Sequence, residues 1–220
     1  MPSLREALMG YAAPAVGAAI ANAMFSSPVS AVIAARRRGD LGDVNPLPFP
    51  LIACNCLCWL AYAVLTRDFF LYCGNAPGCV LGAWMTVAAV PLASRHARLR
   101  VEAALVVALS LFLLAGVLGG MLVNRDKATA EAVVGGTANA LLLAYYAAPL
   151  SVVAGVLRSR SSGALHPLVA AANTVNGACW LAYGLALGDA FIWAPNGLGA
   201  ALGAVQLGLL AAFPRGGGGG

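Results

Sequence analysis

The chain has 220 residues, of which 61% are hydrophobic and only 10% charged, and its mean hydropathy is +0.84. Such a composition excludes an ordinary soluble domain. The net charge of +5 at pH 7 comes with no basic patch that contains interleaved aromatic residues outside the apolar stretches. A nucleic-acid partner is therefore not expected.

Uncharged stretches predict the helices in chain order. Each has at least 22 residues, and about 20 helical residues cross the hydrocarbon core of a bilayer. A transmembrane β-barrel would instead show alternating segments of roughly ten residues. We therefore predict an all-α membrane protein with seven transmembrane helices. The stretches are 7–35, 44–66, 69–94, 103–124, 132–157, 161–188 and 190–214.

Basic residues predict the orientation, because cytosolic loops are enriched in Lys and Arg. One side carries nine of them: Arg36, Arg37, Arg38, Arg95, Arg98, Arg100, Arg158, Arg160 and Arg215. The other side carries four: Arg5, Arg67, Arg125 and Lys127. We expect a multi-pass protein with its N-terminus outside and its C-terminus in the cytosol. The plasma membrane is favoured, and an organelle membrane is left open.

The sequence repeats itself at an offset of 121 residues, with 21 identities over the 61 positions from 23 to 83. The block 58–62 reads Cys-Trp-Leu-Ala-Tyr, as does the block 179–183. A shift of four spans preserves direction, so the two copies are parallel. The predicted 3+1+3 organisation has a first three-helix repeat at 5–95, a linker helix at 96–125, a second repeat at 126–214 and a flexible glycine tail at 215–220. Parallel-repeat transporters bind their substrates near the membrane midplane.

Asn55, Trp59 and Tyr62 form one stripe on the second predicted helix, because they are spaced by four and three residues. Asn75, on the third helix, and Trp59 both lie ~10 Å below the outer end of their spans. An indole face and an amide suit an uncharged, hydroxyl-rich solute. The alternative is that these residues anchor helices at the interface or to one another. The second copy of the set is Asn176, Trp180, Tyr183 and Asn196.

Prolines occur at corresponding places in the two copies. Pro28 and Pro149 lie inside apolar spans, where proline removes a helical hydrogen bond and bends the helix. Pro48 and Pro167 mark the starts of the second and sixth helices, as ordinary N1 prolines also do. We predict that these four prolines act as hinges in the cytosolic half.

No Asp or Glu lies at mid-depth; all eight are at span ends or in loops. Without a membrane carboxylate to relay a proton or hold sodium, uncoupled downhill transport is the simplest expectation. No catalytic, metal-binding or cofactor-binding constellation is evident, so an enzyme is not expected. Cys54, Cys56 and Cys58 alternate on a helix and are interpreted as apolar packing. A disulfide between Cys73 and Cys79 is left open.

Several motifs resemble those of the SWEET (MtN3/saliva) sugar facilitators. They are Ser27-Pro28, Pro48-Phe49-Pro50, Trp59-x-x-Tyr62, Ala148-Pro149-Leu150-Ser151, Trp180-Leu181-Ala182-Tyr183-Gly184 and Pro195-Asn196-Gly197. The resemblance implies bidirectional, uncoupled sugar transport by alternating access. It also implies that Trp59, Trp180, Asn75 and Asn196 line the sugar site. Asn55 and Asn176 are assigned to the same site, at positions where family members that carry sucrose tend to have Ser. It assigns Pro28, Pro48, Pro149 and Pro167 to hinges, and Tyr62, Tyr183 and Asp189 to an extracellular gate.

The resemblance also bears on substrate size and assembly. Family members that carry sucrose have small residues at the positions of Met24 and Tyr145, so these larger side chains favour a hexose such as glucose. A disaccharide is left open. The family often self-associates, so a homo-oligomer is left open too, with contacts through Gly116, Gly119 and Gly120. Besides sugar and lipid, no partner is expected.

Two other functions remain alternatives. A proton-coupled amino-acid exporter of the PQ-loop type shares the seven-helix pattern, although this sequence has no Pro-Gln dipeptide and no membrane carboxylate. A seven-helix receptor would lack the parallel repeat, and no Lys on the last helix could bind retinal.

Overall fold

A computed structural model describes residues 3–122 and 124–215. The described chain is all-α, without strands, and contains seven long helices, which we number in chain order. They are α1 (Leu4–Arg38), α2 (Pro48–Thr66), α3 (Phe69–Leu92), α4 (Arg95–Leu122), α5 (Lys127–Ser159), α6 (Pro167–Leu187) and α7 (Ala190–Ala212). The glycines 216–220 of the predicted tail lie outside the described residues.

Six of these helices are long and apolar enough to cross a membrane by length and composition. Helix α6 has 21 residues but is not among the six. Its sequence includes the polar residues Asn173, Thr174 and Asn176. The prediction of a helical multi-pass membrane protein is confirmed, and the assignment of all seven helices as spans stays a prediction.

Helix α1 is built from several segments. A π-helical stretch, Ala7–Ala12, leads into the α-helix Ala13–Ser26. The helix breaks at Ser27 and Pro28 and resumes as Val29–Arg38. Proline has no N–H, so the carbonyl of Met24 loses its helical donor. The backbone N–H of Ser27 donates to that carbonyl at 3.2 Å and the Ser27 hydroxyl at 2.8 Å, which together satisfy the broken turn.

Helices α2 and α6 end in the same way. Each terminates at a left-handed residue, Arg67 (φ 59°) after α2 and Gly188 (φ 68°) after α6. A non-glycine residue is uncommon in this region. The next residue caps the following helix: Asp68 accepts from the Leu71 N–H at 2.9 Å, and Asp189 from the Phe191 N–H at 2.9 Å. The repeat in sequence thus produces a repeat in local structure.

The chain forms two compact units. One comprises Ala21–Leu141 and is called here the α2–α4 unit; in it, α2 packs against α3 and α4. The other comprises Met1–Ile20 with Leu142–Gly220 and is called the α6–α7 unit; in it, α6 packs against α7 and against the π-helical stretch of α1. These units divide α1 and α5 between them, whereas the predicted repeat boundaries follow whole helices. The repeat boundaries stay a prediction.

Glycines allow close helix contacts at matched places in the two units. A Cβ built on Gly82 would lie 2.8 Å from the backbone nitrogen of Ala53, and one on Gly203 would lie 2.9 Å from that of Thr174. The offset of 121 relates both pairs. A backbone atom cannot move aside as the end of a flexible side chain can, so a larger residue would not fit at either position. These glycines therefore allow α3 to approach α2 and α7 to approach α6.

The structure tests two further expectations from the sequence, which concern the cysteines and the glycines of α4. All six cysteines are free, and Cys73 and Cys79 lie six residues apart on α3, which is about 9 Å along the axis and too far for a disulfide. The disulfide left open above is therefore absent. In α4, a Cβ on Gly119 would lie 2.8 Å from Val134 of α5, whereas nothing lies within 4 Å of Gly116 or Gly120. Gly119 thus serves packing within the chain.

Candidate substrate-binding residues in the two units

Trp59 and Tyr62 form a buried aromatic pair on α2. Their side chains are 4% and 2% exposed, and their ring centroids lie 6.0 Å apart with the planes at 90°. Edge-to-face packing of this kind favours one orientation of the indole. The helical spacing of three residues places both rings on one side of α2.

Trp180 and Tyr183 repeat this arrangement on α6. They are 5% and 6% exposed, and their centroids are also 6.0 Å apart, with an interplanar angle of 68°. The Trp180 indole lies against the backbone of α1, because a Cβ built on Gly17 would be 3.1 Å from its Nε1. Any larger residue at position 17 would therefore displace the indole.

Asn75 on α3 and Asn196 on α7 have equivalent hydrogen bonds. The amide nitrogen of Asn75 donates to the Leu71 carbonyl at 2.9 Å, and that of Asn196 donates to the Ile192 carbonyl at 2.8 Å. Each acceptor lies four residues earlier on the same helix. This bond fixes the side chain, and the amide keeps a second hydrogen and a carbonyl oxygen with which it can bind a solute.

Asn55 and Asn176 each bury a carbonyl oxygen that has no hydrogen-bond partner in the part of the chain that the structure describes. Buried polar atoms are satisfied in most native structures. Two more asparagines, Asn22 and Asn139, have the same property, and the sequence analysis did not select them. In the sequence, Asn22 and Asn139 are marked only as polar residues within apolar spans.

The residues expected to limit substrate size lie on α1 and α5. Met24 is half-buried and lies within the last turn before the break at Pro28. Tyr145 lies on α5, and its side chain is outside what the structure describes. The next residue, Tyr146, donates its hydroxyl proton to the Pro195 carbonyl of α7 at 3.2 Å, so its ring packs within the α6–α7 unit.

The four predicted hinge prolines occupy two kinds of position. Pro48 and Pro167 are the first residues of α2 and α6, as predicted. Pro28 lies at the break of α1, whereas Pro149 lies inside the continuous helix α5. The first of the two inner prolines thus interrupts its helix and the second does not.

The carboxylate expected at the extracellular gate has a clear local role. Besides the Phe191 N–H, Asp189 accepts from the Ile192 N–H at 3.3 Å, and it therefore caps α7. A carboxylate at a helix N-terminus is stabilised by the unpaired N–H groups. Among the described residues no group of three or more His, Cys, Asp or Glu could hold a metal ion.

Apolar helices that carry an aromatic–amide set in each of two sequence repeats define a multi-pass membrane protein of the repeat type found in transporters. The family described as "Sugar efflux transporter for intercellular exchange" (MtN3/saliva) matches this chain twice, at residues 14–97 and 132–216. The chain belongs to that family of sugar transporters, the SWEET family.

Individual relatives agree with this assignment. The chain is 30% identical to the bidirectional sugar transporter SWEET13 of Arabidopsis thaliana over 208 residues, which are 93% of this chain and 70% of the relative. It is 29% identical to SWEET4 of Oryza sativa subsp. indica, with 90% and 77% of the two chains covered. The solved structure of a eukaryotic SWEET transporter superposes with a TM-score of 0.82 at 29% identity and covers 95% of this chain and 98% of that one.

Proposed function

We propose that this chain is a bidirectional, uncoupled transporter that moves a sugar across a membrane by alternating access, with a hexose such as glucose as the favoured substrate. One observation carries the proposal. Two sets of Trp, Tyr and Asn, 121 residues apart, have the same ring separation of 6.0 Å and the same backbone bond from the asparagine amide. Structural anchors alone would not require the sets to match in this detail.

The proposed contacts follow from the chemistry of a sugar. The indoles of Trp59 and Trp180 offer flat faces for its C–H surfaces, and the amides of Asn75 and Asn196 bond to its hydroxyls. The buried oxygens of Asn55 and Asn176 have no donor among the described residues, and a sugar hydroxyl would supply one. Each of these groups is uncharged, which suits a neutral solute.

The position of the carboxylates supports transport without a coupling ion. Asp68 and Asp189 are engaged as helix caps. Asp40, Asp43 and Asp126 lie in loops, and Glu6, Glu102 and Glu131 lie within the first eight residues of their helices. A proton relay needs an ionisable group within the membrane. The proposed cycle therefore moves sugar down its own gradient in either direction.

Met24 and Tyr145 support a small substrate. Both are bulkier than the residues expected in a sucrose carrier of this family, so we propose that they reduce the space for a second sugar ring. Motion would arise at Pro28, Pro48, Pro149 and Pro167, because helix starts and proline breaks lack some of the hydrogen bonds that stiffen a helix. Tyr62, Tyr183 and Asp189 would close the outer end.

The proposed organisation is the 3+1+3 arrangement of seven transmembrane helices, with the N-terminus outside and the C-terminus in the cytosol of the plasma membrane. The distribution of basic residues, nine on one side and four on the other, supports this orientation.

Uptake of radiolabelled sugars into cells that lack their own sugar transporters tests the function. We expect glucose uptake that an uncoupler of the proton gradient leaves unchanged, efflux of preloaded glucose, and much weaker sucrose uptake. Uptake that collapses with the uncoupler would favour a proton-coupled exporter, and sucrose uptake equal to that of glucose would refute the size argument.

Variants test the site. Asn75→Ala and Asn196→Ala should each abolish glucose flux at unchanged surface expression, because each removes an amide that can both donate to and accept from the sugar hydroxyls. Asn124→Ala, at an exposed turn, is the matched control and should transport normally. Normal flux in the first two variants would remove these asparagines from the site.

A further inference from the structure

The α2–α4 unit contains a cavity of about 290 Å³ that is separate from the candidate sugar-binding residues. It lies where the second segment of α1 ends beside the end of α3. The residues that line it are Arg36, Trp84, Val87, Ala88, Pro91 and Leu92. One cation, one indole and an otherwise apolar wall thus surround a space large enough for a small polar group.

The wall of the cavity is held by the packed interior of the unit. Trp84 and Leu92 pack against a buried cluster of apolar side chains. The members of that cluster are Val32, Ala35, Leu41, Phe49, Met85, Ala88, Ala89 and Ala93. A close-packed cluster of this kind changes shape little, so the cavity does not depend on a ligand to form it.

The outer rim of the cavity is apolar and exposed. Val87 is 75% exposed, and Pro91 is exposed next to it on the short 3₁₀ turn that ends α3. On a membrane-spanning helix, an exposed apolar side chain meets lipid chains. Trp84 is half-buried beside them, and tryptophan is enriched at the level of the lipid headgroups.

The charge of the cavity comes from Arg36. Its side chain is exposed in the last turn of α1, and it has no acidic partner within residues 3–122 and 124–215. Its neighbour Arg38 does have one, Asp40, at 3.9 Å. The same end of the unit carries six arginines and three carboxylates. They are Arg36, Arg37, Arg38, Arg95, Arg98 and Arg100, with Asp40, Asp43 and Glu102.

We propose that this cavity binds the phosphate headgroup of an anionic phospholipid, with the Arg36 guanidinium on the phosphate and the lipid chains along Val87 and Pro91. Guanidinium bonds to phosphate in a fixed, two-pronged geometry. Anionic lipids concentrate in the cytosolic leaflet, and basic residues concentrate in cytosolic loops, so both partners are expected on the same side of the membrane. The proposal does not depend on which sugar the protein carries.

Lipid retention measured by native mass spectrometry tests the proposal. The full-length protein is reconstituted with phosphatidylglycerol and phosphatidylcholine in equal amounts and then transferred to neutral detergent. We expect one phosphatidylglycerol to be retained in preference to phosphatidylcholine. Arg36→Gln should weaken that preference roughly tenfold or more, because it removes the charge-assisted hydrogen bonds to the phosphate, and Arg36→Lys should weaken it less.

Arg37→Gln is the matched control, because Arg37 is exposed next to Arg36 but does not line the cavity. It should retain phosphatidylglycerol as the unaltered chain does. An equal loss in the Gln variants at 36 and 37 would show diffuse attraction to the basic surface and overturn the proposal. Equal retention of phosphatidylcholine and phosphatidylglycerol would do so as well.

A second arm separates a lipid from a free anion. Inorganic phosphate or glycerol phosphate, added in excess, should leave the retained phosphatidylglycerol in place, because neither has acyl chains for the apolar rim. Displacement by inorganic phosphate would identify a soluble anion as the ligand and would refute the lipid assignment. Because native mass spectrometry needs no transport, failure here is distinguishable from failure of the proposed function.

Discussion

Unpartnered amide oxygens are the most informative feature at the scale of single residues. A buried acceptor without a donor costs about 1–3 kcal/mol, and within residues 3–122 and 124–215 four asparagines carry one: Asn22, Asn55, Asn139 and Asn176. A folded protein tolerates such a cost where the unpartnered group forms a hydrogen bond to a bound ligand. Asn55 and Asn176 occupy equivalent positions in the two repeats, so a shared role in binding is the simplest explanation.

Replacement of Asn55 by Leu tests that role. Asn55→Leu keeps the approximate shape and removes the unsatisfied oxygen, so the melting temperature of the purified protein should stay equal or rise. Glucose flux should fall by up to about tenfold, since one bond to the substrate is lost. Thermal unfolding and uptake are measured on the same preparation, with Asn176→Leu expected to give the same pair of changes.

The opposite pattern would contradict this explanation. A lower melting temperature with unchanged flux would mean that the Asn55 oxygen has a structural partner, such as a bound water, and takes no part in binding.

At the scale of helices, an asparagine of α1 supplies the hydrogen bond that a proline removes from α3. Pro77 lies inside α3 and has no N–H, so the Cys73 carbonyl four residues earlier loses its helical donor. The Asn22 amide of α1 donates to that carbonyl at 3.2 Å. A side chain of one helix therefore replaces the missing bond of another and ties the two helices together.

A double-mutant cycle tests this compensation. Asn22→Leu leaves the Cys73 carbonyl without a donor, which costs about 1 kcal/mol, but it also removes the unpartnered Asn22 oxygen, which offsets part of that cost. In a Pro77→Ala background the helix supplies its own N–H, so the same change should cost much less. Denaturation of all four proteins gives the coupling energy. A coupling energy of zero would show that the Asn22 bond does not depend on the proline.

The close contact of α6 with α7 gives a second prediction at this scale. Gly203→Ala should destabilise the protein by about 1–3 kcal/mol, because the added methyl group overlaps Thr174 and its backbone. Gly208→Ala is the control on the same helix, since nothing lies within 4 Å of its Cβ position. Alanine should be neutral or slightly stabilising there. Thermal unfolding measures both variants, and equal effects would exclude the steric explanation.

The helix ends and the proline breaks differ in how well they follow from the sequence. The helices and their order could be predicted from the apolar spans, and Pro48 and Pro167 mark the starts of α2 and α6. The starts of α4 and α5 could not be predicted, because charged residues extend these helices beyond the apolar stretches: α4 begins at Arg95 and not at 103, and α5 at Lys127 and not at 132. It could also not be predicted that Pro28 interrupts its helix whereas Pro149 lies inside a continuous one. Ser27 precedes the first proline and its hydroxyl satisfies the freed carbonyl, whereas the residue before the second is alanine.

The role of Asn22 was beyond prediction for a related reason. Its partner carbonyl, at Cys73, is 51 residues away in the chain, and it is free only because of a proline on a different helix. Paired polar residues within the repeat were visible from sequence, since the offset of 121 aligns them. Contacts that do not repeat, such as this one, require the structure.

At the scale of the whole molecule, the excess of arginine on one side predicts the orientation. An epitope tag before residue 1 should bind antibody on intact cells, and a tag after residue 220 should bind only after the membrane is permeabilised. Untagged protein and glucose uptake by both tagged forms serve as controls. Labelling of both tags on intact cells would mean that the helices cross the membrane an even number of times.

The boundaries of the two compact units have a consequence for biosynthesis. They fall after residues 20 and 141, which differ by the repeat length, so the first part of α1 belongs with helices that are made much later. At about 5–20 residues per second, the ribosome needs on the order of ten seconds to reach them. During that time the first part of α1 lacks α6, the helix against which its π-helical stretch packs in the finished protein. A chain truncated after residue 141 and released would hold every residue of one unit, together with the opening segment of the other unit without its partners.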